Sequence, residues 1–328
     1  MRRGTCSALF LTGFISICSS AALYADNYKF NHHWNFLADF VYMRRSEIHN
    51  HTLVKNSNKF QCPNRCPNFT VMNTRNLVND FDFEPGYRVG LTYTPNARIG
   101  FEANYLWLDE WEGDKTVHGN QSLSFGNIGD DFANASEARG VYKSNFWDSE
   151  LNFWRYFTPR DVDYFSLSGI AGLRYFNLNE SFHLTMIAPP DKSSYHIRSF
   201  NKMYAGQLGL DFQMNPTRWL SWEIFAKVGV MGNHTKVKSV LRDQNDQVTV
   251  LHYKKREWEA GIFTDVAAQL AINCTRWLSV HAGYEALFFS GLALAPEQIS
   301  KKKKPEKKDY THGTAVIHGL YTGLNISF

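Results

Sequence analysis

The stretch WLSWEIFAKVGV, residues 219 to 230, decides the fold. Leu220, Trp222, Ile224, Ala226 and Val228 fall on every second position, and Glu223 and Lys227 stand between them. A strand turns successive side chains to opposite faces, so this period of two predicts a strand with one apolar and one charged face. A β-sandwich would bury the apolar face and wet the charged one. A transmembrane barrel would do the reverse, setting the apolar face against lipid and the charges in its lumen. The pattern of one strand does not separate these two architectures, but the arrangement of all the strands does.

Working outward, the same alternation recurs over 34–42, 85–93, 98–107, 145–154, 164–176, 201–212, 258–272, 277–289 and 314–328. With the opening stretch, that predicts ten strands. The connections alternate in length along the chain. TPNA (94–97), TPRDVD (158–163), MNPTR (214–218) and NCTR (273–276) are short, while 43–84, 108–144, 177–200, 231–257 and 290–313 are long. Short turns on one rim and long loops on the other are the layout of an outer-membrane barrel with a periplasmic amino terminus.

The faces agree. Phe36, Ala38, Phe40 and Tyr42 oppose Asp39; Tyr87, Val89, Leu91 and Tyr93 oppose Arg88; Ile99, Phe101, Ala103 and Tyr105 oppose Glu102 and Asn104. Trp34, Trp219, Trp277 and Trp154 are expected at one membrane interface and Trp107, Trp147 and Trp258 at the other, where an indole keeps its ring in lipid and its N–H wet. NPTRWLSW (215–222) and NCTRWLSV (273–280) share the frame N-x-T-R-W-L-S, which reads as two equivalent periplasmic hairpins. The expected fold is all-β: a transmembrane antiparallel up-and-down barrel of ten strands in the outer membrane of a Gram-negative bacterium. Twelve strands is the alternative if the 43–84 or 108–144 loop hides a further hairpin.

Residues 1–25 have the layout of a signal peptide: Arg2 and Arg3, a short apolar run, then small residues before Asp26. That leaves residues 26–328 as the barrel, with 33 Lys plus Arg against 31 Asp plus Glu. So even a balance gives no support to nucleic-acid binding, which needs a concentrated basic face.

QCPNRCPNF puts Cys62 and Cys66 in the first long loop with three residues between them, and in an oxidising compartment this predicts a small disulfide. No metal site is expected, since zinc would need two further ligands. KKKKPEKK (301–308) in the last long loop could meet lipopolysaccharide phosphates or an anionic host surface, or simply be solvated. No hydrolase, zincin or nucleotide fingerprint is present, and neither a cofactor nor an enzyme activity is expected. Asp80 and Asp82 resemble half of the paired acids of omptin-type barrel proteases, but Asp309 and His312 have the wrong spacing for the other half.

The inward register assigns Asp39, Glu102, Asp148, Glu150, Asp211, Glu223, Glu259, Asp265 and Glu285, with Arg88, Arg174 and Lys227, to the lumen. Acids prevail, so porin-like diffusion of small solutes would prefer cations. A ten-stranded lumen is narrow and largely filled by side chains, however. The same charges could form internal salt bridges in a structural barrel, or in one that displays its loops as a surface adhesin or receptor. In GLYTGLNISF (319–328), Gly323, Ile326 and Phe328 resemble the carboxy-terminal signal of outer-membrane proteins. That resemblance implies the barrel-assembly machinery and periplasmic chaperones as partners, beside outer-membrane lipid and lipopolysaccharide. A host surface or a second copy of the chain stays open as a further partner.

FDFEPGYRVGLTYTP (81–95), SGIAGLRYFNLNESF (168–182) and NKMYAGQLGLDF (201–212) resemble the major-outer-membrane-protein-like barrels of planctomycetes, legionellae and chlamydia-like bacteria. The resemblance implies an integral barrel, in some members a porin, and brings no catalytic residues.

Overall fold

The computed structural model describes residues 33–328 apart from 48–49, 57–68, 126–131, 133, 159–163, 244–247 and 300–312. The expected signal peptide, Cys62, Cys66, the lysine run, Asp309 and His312 lie outside the described residues. Twelve strands make one antiparallel sheet: β1 (Trp34–Glu47), β2 (Thr52–Asn56), β3 (Phe69–Asn73), β4 (Glu84–Asn96), β5 (Ile99–Ser124), β6 (Ala135–Tyr156), β7 (Phe165–Ala188), β8 (Asp191–Thr217), β9 (Leu220–Asp243), β10 (Val248–Asn273), β11 (Leu278–Leu292) and β12 (Gly313–Ser327).

Ten of them close a barrel in the circular order β1, β4, β5, β6, β7, β8, β9, β10, β11, β12. Each of the ten expected strands is present, and the closed barrel counts ten. The 43–84 connection does carry a further hairpin, β2–β3, which joins the sheet only through Lys55↔Ser124 and Asn56↔Leu123 of β5. Closure reaches the last residue. The Trp34 N–H donates to Phe328 O at 3.0 Å and the Phe328 N–H to Trp34 O at 2.9 Å. An unpaired backbone group in lipid costs several kcal/mol, which is why an apolar strand runs to the chain end.

The outer face is apolar and exposed, as the alternation predicts: Phe36, Val89, Phe101, Leu151, Leu173, Leu208, Val228 and Leu270 all point outward. At the outer interface the aromatics touch in sequence around the wall. Tyr87 stacks on Trp107 at 5.4 Å, and tilted contacts follow: Tyr105 with Trp147 at 6.0 Å, Trp147 with Tyr175 at 5.2 Å, Tyr175 with Tyr204 at 5.0 Å and Tyr204 with Trp258 at 6.1 Å. Trp34, Trp219 and Trp277 are exposed at the opposite rim. Trp154 departs from the expected belt: it shares the parity of Asp148 and Glu150, so it lines the lumen instead.

The N-x-T-R-W-L repeat has a physical basis. Thr217 Oγ1 accepts the Leu220 N–H at 3.1 Å and Thr275 Oγ1 accepts the Leu278 N–H at 3.0 Å, the same side-chain turn used twice.

The long outer connections are mostly strand. β5 to β10 each run 22 to 27 residues, against 13 to 15 for β4, β1, β11 and β12, so a wall of six strands rises above the aromatic belt on one side. The inner face of this crown buries Phe182, Leu184 and Met186 of β7 and Tyr195 and Ile197 of β8. Against it pack Leu53, Val54 and Met72 of the β2–β3 hairpin, together with Leu77 of the short helix α1 (Thr74–Asn79). α1 starts where it does because Asn73 Oδ1 accepts the Asn76 N–H while Asn76 Oδ1 accepts the Asn73 N–H, each at 2.9 Å.

Candidate functional site in the barrel lumen

From the rim of the short turns toward the rim of the long strands, the lumen is built in three layers. The first is a polar cavity of about 170 Å³. Eleven of the twelve residues assigned to the lumen line it: Asp39, Arg88, Glu102, Asp148, Glu150, Arg174, Asp211, Glu223, Lys227, Asp265 and Glu285. Glu259 does not. It stands opposite Asn233, four residues beyond Phe263 toward the outside.

The charges are bonded across the lumen. Arg174 on β7 holds Asp265 of β10 at 2.6 Å and Asp148 of β6 at 2.7 Å, with Glu150 at 3.8 Å. Lys227 on β9 binds Glu150 at 2.6 Å. Arg88 on β4 bonds Glu285 of β11 and lies 3.6 Å from Asp39, which also bonds His281 Nε2 at 2.7 Å. Arg174 to Asp265, Lys227 to Glu150, Arg88 to Glu285 and His281 to Asp39 cross strands that are not neighbours and brace separate parts of the wall, while Arg174 to Asp148 and Glu150, and Arg88 to Asp39, tie adjacent strands. Glu102 accepts from Asn104 at 2.7 Å and from Asn152 at 2.8 Å, and Glu223 accepts from Gln269 at 2.6 Å. The acids still prevail, eight to three among the lining residues above. Gly323 opposes Asp39 in the β1–β12 register, and a Cβ there would overlap the Asp39 carboxylate and Ala38 O. The glycine of the expected assembly signal thus also makes room for a lumen acid.

The second layer is apolar. Phe146, Phe176, Phe263 and Phe289, with Val41, Leu106 and Leu287, are each no more than 2% exposed. Phe146 on β6 and Phe289 on β11 stand on diametrically opposed strands, five steps apart either way round, yet their rings meet at 5.8 Å. Phe176 touches Phe263 at 4.8 Å and Phe289 at 5.0 Å. Opposite walls therefore meet at a septum across the lumen.

The third layer is the described segment that follows β11, residues 293–299, which folds inward. Leu292, Ala293, Leu294 and the 3-10 turn Ala295–Gln298 are buried. Asn201 donates to Ala293 O at 3.0 Å and accepts the Ala293 N–H at 2.8 Å, and Asn233 donates to Gly291 O at 2.9 Å. Glu180 accepts the Ala295 N–H at 2.7 Å and pairs with Arg45 at 2.7 Å, both side chains fully buried. Arg45 also donates to Tyr142 Oη at 2.7 Å.

Sequence reasoning placed the charges and missed the septum and the plug. A signal for the septum existed: Phe176, Phe263 and Phe146 each stand two positions outward of an inward charge, Arg174, Asp265 and Asp148 respectively. A large ring on the charged face, outward of the charges, points into the lumen. Asp80 and Asp82 are exposed just after α1. Among the described residues no group of three or more His, Cys, Asp or Glu is placed to hold a metal ion.

No family model matches the sequence, and none of the curated proteins does. Among solved structures, the chain is similar to the outer membrane protease OmpT from Escherichia coli, with 10% identity, 90% of this chain and 97% of that one covered, and a TM-score of 0.45. It is similar to the translocator domain of the autotransporter NalP from Neisseria meningitidis at 9% identity, covering 99% and 97%, with a TM-score of 0.35. CarO from Acinetobacter baumannii is similar at 11% identity, covering 88% and 97%, with a TM-score of 0.27. At these identities no residue role passes from any of them to this chain, which is, on its own pairing and surface, an outer-membrane-type β-barrel.

Proposed function

We propose that this chain is an integral outer-membrane protein of a Gram-negative bacterium, whose barrel is a closed, braced anchor and whose working part is the extracellular crown. The observation that carries this reading is the septum: Phe146 and Phe289 meet from opposed strands at the centre of the lumen. A hydrophobic constriction excludes water and ions even where polar chambers flank it. The buried plug above it closes the outer mouth a second time.

Porin-like diffusion with cation preference is the competing reading. In its favour is the excess of acids in the inner cavity. Against it is their use in cross-lumen ion pairs, which is how a structural barrel holds its walls together. The crown suits a surface adhesin, receptor or structural role, since it is a rigid β-wall with its own core and not a set of loops. Kinship with the major-outer-membrane-protein-like barrels stays part of this proposal, as do Gly323, Ile326 and Phe328 as an assembly signal and the barrel-assembly machinery as its reader. Proteoliposome swelling in an isosmotic small sugar tests the closed reading. Swelling no faster than protein-free vesicles supports it, and a rate that rises with protein density refutes it.

A further inference from the structure

Above the aromatic belt, the outward face of β8, β9 and β10 carries an arrangement that protein stability alone does not favour. Three rows cross it. The lowest is Lys202–His234–Trp258, the next Phe200–Lys236–Arg256, and the third Arg198–Lys238–Lys254. Like charges directly opposite on neighbouring strands destabilise a sheet, yet Lys236 faces Arg256, and Lys238 faces both Arg198 and Lys254. No outward position of these three strands above the belt, from 192 to 202, 232 to 242 or 252 to 258, is Asp or Glu. The crowding holds the Lys236 ammonium below its ordinary value, through Lys238 first, then desolvation, Arg256, Lys254 and Lys202.

The rest of the crown shows the ordinary solution. On β5–β6, Lys143 pairs with Glu110 at 3.0 Å and Glu112 at 2.8 Å, and Arg139 pairs with Asp114 at 3.1 Å. Arg198 donates to His196 Nε2 at 3.0 Å and Lys236 lies over the Phe200 ring at 5.6 Å, but among the described residues no carboxylate meets these cations, and position separates two occupants for this acid-free face. The bottom row includes Trp258, whose ring touches Tyr204 of the belt, and each further row lies about 7 Å along the strands. The next row up, His196–Val240–His252, holds no Lys or Arg, and among the described residues of this face only Arg242 and Lys192 lie beyond it. On this face, six of the eight described cations therefore lie in the three rows within about 14 Å of the belt, pointing sideways, and two lie beyond them toward the tip, where a soluble partner arrives.

We propose that this face binds the phosphate groups of lipopolysaccharide in the surrounding outer leaflet, with Lys202, Lys236, Lys238, Lys254, Arg256 and Arg198 as the cationic lattice. The proposal rests on the outer-membrane orientation above and is independent of whether the lumen conducts.

The test uses the full mature protein in nanodiscs titrated with bisphosphorylated lipid A. Each basic residue beside an anionic lipid surface contributes about a fivefold factor in affinity. The combined variant Lys236→Gln, Lys238→Gln, Arg256→Gln should therefore bind on the order of 100-fold more weakly, with each single change costing about fivefold. Arg139→Gln with Lys143→Gln should bind as the parent does. Unchanged heat-modifiable mobility on gels shows that the variants fold. Equal affinity of parent and triple variant overturns the proposal, as does equal affinity of the parent for dephosphorylated lipid A. Displacement of the lipid by inorganic phosphate at its own affinity would make this a free-anion site, and tight heparin binding without lipid A binding would make it a glycan surface; either result also overturns it.

Discussion

Replacing Arg174 with methionine tests the bracing of the barrel most sharply. Methionine keeps an unbranched apolar stem against Phe176, over which the guanidinium lies at 4.7 Å, and removes only the charge. It leaves Asp148 and Asp265, 2% and 1% exposed in their side chains, without the cation that bonds both. Removing one partner of a buried ion pair costs about 3 to 5 kcal/mol. Loss of the ring contact adds about 0.5 to 2 kcal/mol. At about 1.4 kcal/mol per decade, the unfolding equilibrium should shift at least about 100-fold.

The assay is reversible guanidinium unfolding in lipid vesicles, followed by tryptophan emission, with Arg139→Met as the reference. Arg139 and Asp114 form a pair whose side chains are 56% and 51% exposed, and such pairs contribute about 0 to 1 kcal/mol. Adding Asp148→Leu and Asp265→Leu to Arg174→Met should recover at least half the loss, because well-packed apolar groups replace a buried ion network at little cost. An Arg174→Met loss no larger than that of Arg139→Met would refute the reasoning.

Three further outcomes follow from the same geometry. Deleting Phe328 removes the two backbone bonds to Trp34 and the last lipid-facing ring, and should lower the yield of folded barrel in the outer membrane several-fold, read as the heat-modifiable band; undiminished yield would count against both roles. Gly323→Val forces a side chain onto the Asp39 carboxylate and should cost about 1 to 3 kcal/mol as overpacking, measured by the same unfolding assay. Thr217→Ala removes one turn hydrogen bond and Thr275→Ala two, since Thr275 Oγ1 also accepts the Trp277 N–H at 3.3 Å; at about 0.5 to 1.5 kcal/mol per bond Thr275→Ala should cost more, and the double variant should show the sum because the turns are separate.

How much of this was legible depended on which medium each face meets. In the membrane the contrast between lipid and a polar lumen is large, so Leu220 to Val228 against Glu223 and Lys227 read correctly, and so did the closing strand. Above the membrane the contrast changes. β7 beyond Leu178 turns Phe182, Leu184 and Met186 inward to a protein core, and its outward positions are Ser181, His183 and Thr185, so the apolar face switches sides and the strand reads as loop. Trp154 was misplaced because tryptophan favours an interface by composition, and only its parity with Glu150 shows that it points into the lumen. The plug at Ala293–Gln298 left no periodic trace: its burial comes from Asn201, Asn233 and Glu180 on distant strands.

The current through a planar bilayer holding the purified protein tests the closed barrel most directly. Septum and plug together predict a flat baseline from the unaltered protein at moderate voltage, with discrete steps emerging only when Phe146, Phe176, Phe263 and Phe289 are replaced together by serine in a variant that also lacks residues 293–298. Discrete cation-selective steps from the unaltered protein would contradict it.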